Sequence, residues 1–109
     1  MTTSQPPQNG EPTRAQVDVW RGPLLLEFGT GSCGHCAAAQ PAIATALAAH
    51  PDVQHLKVED GRGRALGRSF GVKLWPTLVL MHEGRELARL VRPRNAADIN
   101  VALQAPRDP

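Results

Sequence analysis

Apolar and polar positions follow one another along this chain in blocks that predict strands and helices. The run Leu24–Phe28 is short and almost wholly apolar, a pattern typical of a strand that is buried on both faces. From Cys33 to about Ala49 the chain consists mainly of good helix formers, Ala above all, so a long helix is predicted there. Pro41 lies inside that helix and should kink it, because proline has no N–H group and its ring clashes one turn back.

The other predicted elements are shorter, and Gly, Pro and polar turn residues separate them. They are a helix capped by Thr13 and ending near Trp20, a strand over Val53–Val58, a helix over Arg64–Phe70, strands over Thr77–Met81 and Glu86–Val91, and a helix over about Asn95–Leu103. Glu83-Gly84 predicts a hairpin turn between the last two strands. The order α, β, α, β, α, β, β, α predicts crossover connections and a mixed sheet, so the fold class is α/β.

The 109 residues are enough for one domain with its own hydrophobic core. We expect a flexible N-terminal tail over residues 1–12, which are polar and rich in Pro, and a folded domain over residues 13–105. No apolar run approaches the roughly 18 residues that a membrane span requires. The polar start of the chain lacks the basic and apolar regions of a secretory signal, so we expect a cytoplasmic protein.

Charge and cysteine content narrow the function classes. The formal net charge of +2 is too small to indicate nucleic-acid binding, so we expect neither nucleic acid nor a membrane as a partner. We also expect a monomer. The chain has two cysteines, and in a cytoplasmic protein such residues are usually thiols rather than a structural disulfide. Their spacing therefore becomes the main functional signal.

The two cysteines stand three residues apart in Cys33-Gly34-His35-Cys36, at the predicted start of the long helix. This spacing puts them on one helix face, within reach of a disulfide. Cys33 would lie at the helix N-terminus, where free N–H groups and the helix dipole stabilise a thiolate, the attacking species in disulfide exchange. Cys36 would be shielded one turn further in, which suits it to resolve a mixed disulfide. Gly34 lets another backbone approach closely.

Two other interpretations of the cysteine pair remain open at this point. Cys33, Cys36, His50 and His55 satisfy a spacing rule for zinc sites of two Cys and two His. The alanine-rich helix after the pair and the proline at position 51 between the histidines argue against zinc, so no metal is expected. The second interpretation is two inert buried thiols, and the glycines around the pair argue against it.

With its surroundings, the cysteine pair resembles the thioredoxin family. Further matching motifs follow in the family's order over about residues 23–103: the strand Leu24–Phe28, Pro41 five residues after the second cysteine, Phe70-Gly71-Val72, Trp75-Pro76-Thr77 and Glu83-Gly84. The resemblance implies a thioredoxin fold, with a mixed four-stranded sheet flanked by helices. Because the N-terminal region has no strand pattern, we expect the family's usual first strand to be missing. The resemblance also implies a cis peptide bond before Pro76, facing the cysteines.

The resemblance also assigns roles to further side chains. Glu27 occupies the place of the family's buried acid, and burial should raise its pKa so that it deprotonates Cys36 near neutral pH. The alternative is a glutamate that faces solvent. Lys57 matches a family lysine near this acid and is a candidate for redox tuning, with a solvated lysine as the alternative. The candidate substrate-binding residues are Gly34, His35, Trp75, Pro76 and Arg92.

Some positions depart from the family pattern. Ser32 and Gly29 stand where members often carry Trp, so the rim of the site is less aromatic and the substrate preference is open. Arg92 stands where a glycine is common in the loop that faces the cysteines. With Arg94 it would favour the thiolate or acidic substrates, unless both arginines are merely solvated.

His35, the residue just before the second cysteine, bears on the redox potential. His35 is typical of protein disulfide isomerases, whereas reducing thioredoxins carry proline there. A histidine beside the Cys33 thiolate stabilises the reduced form, which predicts a redox-tuning role and a potential above the thioredoxin value of about −270 mV. The other histidines, His50, His55 and His82, are expected to be surface residues.

The predicted function is thiol–disulfide exchange with protein substrates, with Cys33 attacking and Cys36 resolving. The redox-active disulfide between them serves in place of a cofactor. The expected partners are protein thiols or disulfides, with thioredoxin reductase or glutathione as the candidate electron donor. The alternative is a thioredoxin-like adaptor or assembly chaperone without redox turnover, which would need neither the cysteine pair nor Glu27 nor Pro76. An exported isomerase has only His35 in its favour, and the net direction of exchange is open.

Overall fold

The computed structural model describes residues 11–106. This part of the chain forms four helices and four strands in the predicted order. They are α1 (Arg14–Asp18), β1 (Pro23–Gly29), α2 (Gly34–Ala48), β2 (Gln54–Glu59), α3 (Ala65–Ser69), β3 (Thr77–His82), β4 (Arg85–Val91) and α4 (Ala96–Leu103). The predicted bounds differ from these by one or two residues at most ends.

The strands of the described residues form one sheet in the order β2-β1-β3-β4. β1 runs parallel to β2 and antiparallel to β3, and β4 is antiparallel to β3. The helix α2 makes the crossover that a parallel pair requires. The turn between β3 and β4 is formed by Glu83 and Gly84, both with positive φ. The predicted mixed four-stranded sheet is therefore confirmed.

Side-chain caps determine where the helices begin. Thr13 accepts a hydrogen bond from the N–H of Gln16, whose side chain accepts one from the N–H of Thr13, which makes a capping box. Asn95 caps α4 through the N–H of Asp98 at 2.9 Å. The cap of α2 is Cys33 itself. The first cysteine therefore lies at the helix N-terminus, as the spacing predicted.

β1 lies in the middle of two cores because its alternate side chains point to opposite faces of the sheet. Leu24, Leu26 and Phe28 pack towards α1 and α3. Leu25 packs towards α2 and α4. Since Glu27 shares the alternation of Leu25, its carboxylate is directed towards α2, the helix that carries the cysteines.

The first ten residues of the predicted tail lie outside the described residues. Its last two residues pack on the domain: Pro12 is buried, and Glu11 pairs with Arg64 at 2.6 Å. Among the helices of residues 11–106, none has both the length and the apolar character needed to cross a bilayer.

Candidate active site

The two cysteines lie where β1 ends and α2 begins, and both are free thiols. Cys33 is partly exposed, whereas Cys36 is buried, with 7% of its surface accessible. The N–H of Cys36 donates to the Sγ of Cys33 at 3.0 Å, the contact that caps the helix. The sulfur that a substrate can reach is therefore the one that receives the helix N–H group.

The protein moves the pKa values of the two thiols in opposite directions. The pKa of Cys33 is lowered, chiefly by a hydrogen bond from the Cys36 thiol, with further help from the N–H groups of Cys36 and His35 and the charge of Arg92. The pKa of Cys36 is raised to about 11, first by burial and then by its contact with Cys33 and the charge of Glu27. Cys33 is thus the readily formed thiolate, and Cys36 keeps its proton.

Glu27 is buried, as predicted, with 4% of its surface accessible. Its Oε1 lies 2.7 Å from the Nε2 of His55, and its Oε2 accepts a hydrogen bond from the Nε2 of Gln40 at 2.8 Å. The predicted rise of its pKa is wrong. Burial alone would raise the pKa, but the hydrogen bonds from His55 and Gln40 and the charges of His55 and Lys57 outweigh burial and lower it.

Gln40 connects the acid to the cysteine helix and was missed by the sequence analysis. Its Nε2 also donates to the carbonyl of Cys36 at 2.8 Å, and its Oε1 accepts from the Nζ of Lys57 at 3.0 Å. Lys57 is therefore near Glu27, as the resemblance implied, although its bond is to Gln40. The available signal was spacing, because residues four apart on a helix share a face and Gln40 follows Cys36 by four.

His55 is the main correction to the expected site. It was predicted to be a surface histidine, but it is partly buried against Glu27. A signal was available, since His55 stands two residues before Lys57 and alternate residues of a strand share a face. In the parallel register, Leu25 lies beside His55 and Glu27 beside Lys57.

The histidines of the proposed zinc spacing bind other residues. His50 contacts the Oδ1 of Asn100 at 2.5 Å, while His55 contacts Glu27. Within residues 11–106 no three side chains of His, Cys, Asp or Glu are placed to hold a metal ion. His82, at the end of β3, is partly buried rather than fully at the surface.

A cleft of about 440 Å³ connects the cysteines to the buried acid. Its walls are formed by Glu27, Gly29, Thr30, Gly31, Cys33, Cys36, Ala37, Gln40, Lys57, Val58 and Glu59. Glu27 and both cysteines thus border one cleft, to which Glu27, only 4% exposed, contributes little surface.

Gly29 has a packing reason to be glycine. A Cβ atom at this position would lie 2.5 Å from the Sγ of Cys36, well inside van der Waals contact. The larger residue that is common in the family at this position would therefore require the Cys36 sulfur to move. This departure from the family pattern affects the Cys36 thiol as well as the rim.

The peptide bond between Trp75 and Pro76 is cis, as the resemblance implied, and Pro76 is buried. The Nε1 of Trp75 donates to the buried carboxylate of Asp60 at 2.8 Å. Asp60 in turn is held by its own N–H, which donates to the carbonyl of Gly29 at 2.8 Å. Asp60, which the sequence analysis did not single out, thus fixes an indole ring beside the active-site loop.

Arg92 is tied to the same loop by two hydrogen bonds. Its N–H donates to the carbonyl of Pro76 at 2.9 Å, and its Nε donates to the carbonyl of Trp75 at 2.8 Å. Its φ of 52° lies in the region that favours glycine, the residue common here in the family. Arg94 differs, because its side chain is 87% exposed and its Nε lies 4.0 Å from Asp98.

Gly34 and His35 form the first turn of α2, and both are exposed. A Cβ atom on Gly34 would meet nothing within 4 Å, so the surface beside the cysteines is open there. It is the backbone N–H of His35 that lowers the pKa of Cys33.

Comparison with known proteins shows which sequences and solved structures this chain is similar to. The family model described as Thioredoxin matches residues 9–105. The solved structure of thioredoxin 2 from Pseudomonas aeruginosa PAO1, in its reduced form, superposes with a TM-score of 0.78 at 55% identity, covering 86% of this chain and 87% of that one. Thioredoxin of Chlamydia muridarum is 33% identical over 70 residues, which are 64% of this chain and 69% of that protein. Protein disulfide-isomerase erp38 of Neurospora crassa is 47% identical over 60 residues, which are 51% of this chain and 16% of the isomerase.

Proposed function

We propose that this chain, a thiol–disulfide oxidoreductase that belongs to the thioredoxin family, exchanges disulfides with protein substrates through Cys33 as attacking thiolate and Cys36 as resolving thiol. The observation that carries this division of roles is the hydrogen bonding between Cys36 and the sulfur of Cys33. Cys33 is accessible and receives hydrogen bonds, whereas Cys36 is buried and donates. Thiolate is the nucleophile in disulfide exchange, so the accessible sulfur with the lowered pKa attacks first.

In the reducing direction the Cys33 thiolate attacks one sulfur of a substrate disulfide. A bond forms between Cys33 and that sulfur, the substrate's S–S bond breaks, and the other sulfur leaves as a thiolate. Cys36 then loses its proton and attacks Cys33, which forms the Cys33–Cys36 disulfide and releases the second substrate thiolate. The substrate gains two electrons, and the reverse sequence oxidises it.

In this scheme Glu27 receives the proton that Cys36 loses, with no cofactor beyond the cysteine pair. The role is supported by the cleft that both residues border and by Gln40, which binds the Glu27 carboxylate and the Cys36 carbonyl. Lys57 tunes the site, since its charge helps to keep Glu27 ionised. A carboxylate of lowered pKa is a weak base for a thiol of raised pKa, so this proton transfer should be slow unless coupled to attack.

We further propose that substrate proteins bind over the surface beside Cys33, using residues of the first turn of α2 and of two loops. They are Gly34, His35, Trp75, Pro76 and Arg92. The bonds of Trp75 to Asp60 and of Arg92 to the Trp75 carbonyl support this role, because they hold both side chains in place, and the charge of Arg92 acts on Cys33. Thioredoxin reductase or glutathione as electron donor, a monomeric state and a cytoplasmic location remain predictions from the sequence.

Reduction of insulin by dithiothreitol tests the proposal. Wild type should accelerate precipitation of the insulin chains, and Cys33→Ser should abolish the acceleration. Ser32→Ala, an exposed neighbour, is the matched control and should keep the activity. Cys36→Ala should accumulate a mixed disulfide with the substrate protein that excess dithiothreitol releases. Full activity of Cys33→Ser would overturn the proposal, and substrate binding by an inactive wild type would favour the adaptor.

A further inference from the structure

We infer that His55 is a positioning residue for the resolving step: bound to Glu27, it carries the proton of Cys36 between that buried carboxylate and solvent. The inference rests on the proposed function, in which Cys36 resolves the mixed disulfide. It gives a role to a residue that neither the cysteine motif nor the family motifs indicated.

The need for such a residue follows from burial. The side chain of Glu27 is only 4% exposed, so its carboxylate has little direct contact with water. The side chain of His55 is 26% exposed and its Nε2 lies 2.7 Å from the Oε1 of Glu27. One side of the imidazole thus contacts the buried acid while the rest of the ring reaches the surface.

The other groups around the carboxylate are poorly suited to the task. From α2, Gln40 holds the Oε2 atom, and an amide does not take up protons near neutral pH. From β2, Lys57 donates to Gln40 and Glu59 lines the same cleft. Cys33 and Cys36, also from the α2 side, are the reacting thiols. Imidazole is the side-chain group that gains and loses protons between about pH 5 and 8.

The proton balance of the step is then complete. As Cys36 attacks Cys33, its thiol proton passes across the cleft to the Glu27 carboxylate. While Glu27 is ionised, the Nε2–H of His55 donates to it. Once Glu27 holds the Cys36 proton, the ring exchanges its own proton through solvent, so that Nδ1 carries it and Nε2 is bare. Nε2 then accepts the proton of Glu27 and Nδ1 releases its proton to solvent, which restores the starting tautomer. When the disulfide is reopened the same path runs inward and returns a proton to Cys36. One proton crosses for each Cys33–Cys36 bond made or broken.

The test is a stopped-flow reaction of the reduced protein with one equivalent of 5,5′-dithiobis(2-nitrobenzoate). The first coloured thiolate reports attack by Cys33, and the second reports resolution by Cys36. We expect His55→Gln to change the pH profile of the second-phase rate, because a glutamine side chain does not carry protons as an imidazole does. At pH 7 the second phase of His55→Gln should be about tenfold slower, a fraction of the effect of a full acid–base group.

The controls separate this inference from the proposed function. His55→Gln should keep the first phase, which shows that the variant is folded with a reactive Cys33. His50→Gln, a histidine bound to Asn100, should match wild type in both phases. Added imidazole should speed the second phase of His55→Ala. An unchanged pH profile in His55→Gln would overturn the role of His55, whereas a wild type that releases only one thiolate would overturn the proposed role of Cys36.

Discussion

At the scale of single residues, the active site depends on where charge is placed around two sulfur atoms. Cys33 receives hydrogen bonds and faces the positive charge of Arg92, so its thiolate is favoured. Cys36 is buried and faces the negative charges of Cys33 and Glu27, so its thiol is favoured. The charges of Arg92 and Glu27 come from side chains, so each can be removed separately by substitution.

Removing the charge of Arg92 should raise the pKa of Cys33, because a positive charge favours the thiolate. Arg92→Gln should therefore form less thiolate at neutral pH and react about twofold more slowly with iodoacetamide at pH 7, the scale of an exposed charge. The measurement is the alkylation rate between pH 5 and 9. Arg94→Gln is the matched control, and an equal effect from both variants would contradict a specific role for Arg92.

A methyl group at position 29 should disturb the Cys36 thiol. In Gly29→Ala the new Cβ would lie 2.5 Å from the Cys36 sulfur, which must move. We expect slower release of the second thiolate from 5,5′-dithiobis(2-nitrobenzoate) and a loss of about 1–3 kcal/mol in the free energy of unfolding. Gly31→Ala, where a Cβ would meet nothing within 4 Å, should leave both measurements near wild type.

The residue between the cysteines should set the redox potential. The backbone N–H of His35 lowers the pKa of Cys33 and favours the reduced form, so the potential should lie above the thioredoxin value of about −270 mV. Proline has no such N–H group. Titration against glutathione measures it, with His35→Pro expected to lower it. A wild-type potential at or below −270 mV would contradict the role of His35.

At the scale of elements, the site is made where β1, β2 and α2 meet. Glu27 comes from β1, His55 and Lys57 from β2, and Gln40 from α2. Because the sheet is parallel there, residues at the same register of β1 and β2 face the same helix. The buried carboxylate therefore has hydrogen-bond partners from both neighbouring elements. These bonds offset the cost of burying Glu27, so its pKa is not raised.

Acid should weaken this junction of elements. The pKa of Glu27 is lower in the folded than in the unfolded chain, where it takes its ordinary value of 4.5, so its contribution to stability is present above that value. The contribution is lost as the pH falls through the lower pKa of the folded state. We expect the free energy of unfolding in urea to fall between pH 5 and 3, and to fall less in Glu27→Gln. An equal fall in both proteins would contradict this assignment.

At the scale of the whole molecule, β1 couples the active site to both cores. Its side chains pack on one face with α1 and α3 and on the other with α2 and α4. The same strand ends at Gly29, beside the Cys36 sulfur. Stability and the geometry of the reacting thiols thus depend on one central strand.

Truncation in that strand should be costly for the whole fold. Leu26 is fully buried, and Leu26→Ala should lower the free energy of unfolding by about 2–5 kcal/mol, from lost apolar burial and the cavity left behind. Val101 is 70% exposed, and Val101→Ala should change the free energy of unfolding by no more than about 0.5 kcal/mol. Urea denaturation at pH 7 compares the two, and similar costs would argue against a core centred on β1.

The elements, their order and the unequal cysteine pair could be predicted from the sequence, because those features depend on spacings of two to four residues. Apolar runs, caps and the helix start at Cys33 are local, and the structure follows them. Tertiary structure alone decided the partners of Glu27. His55 lies 28 positions away along the chain, and only the packing of β2 beside β1 brings it to the carboxylate. The direction of the Glu27 pKa shift depends on those distant donors, so burial, the part visible from the sequence, indicated the wrong sign.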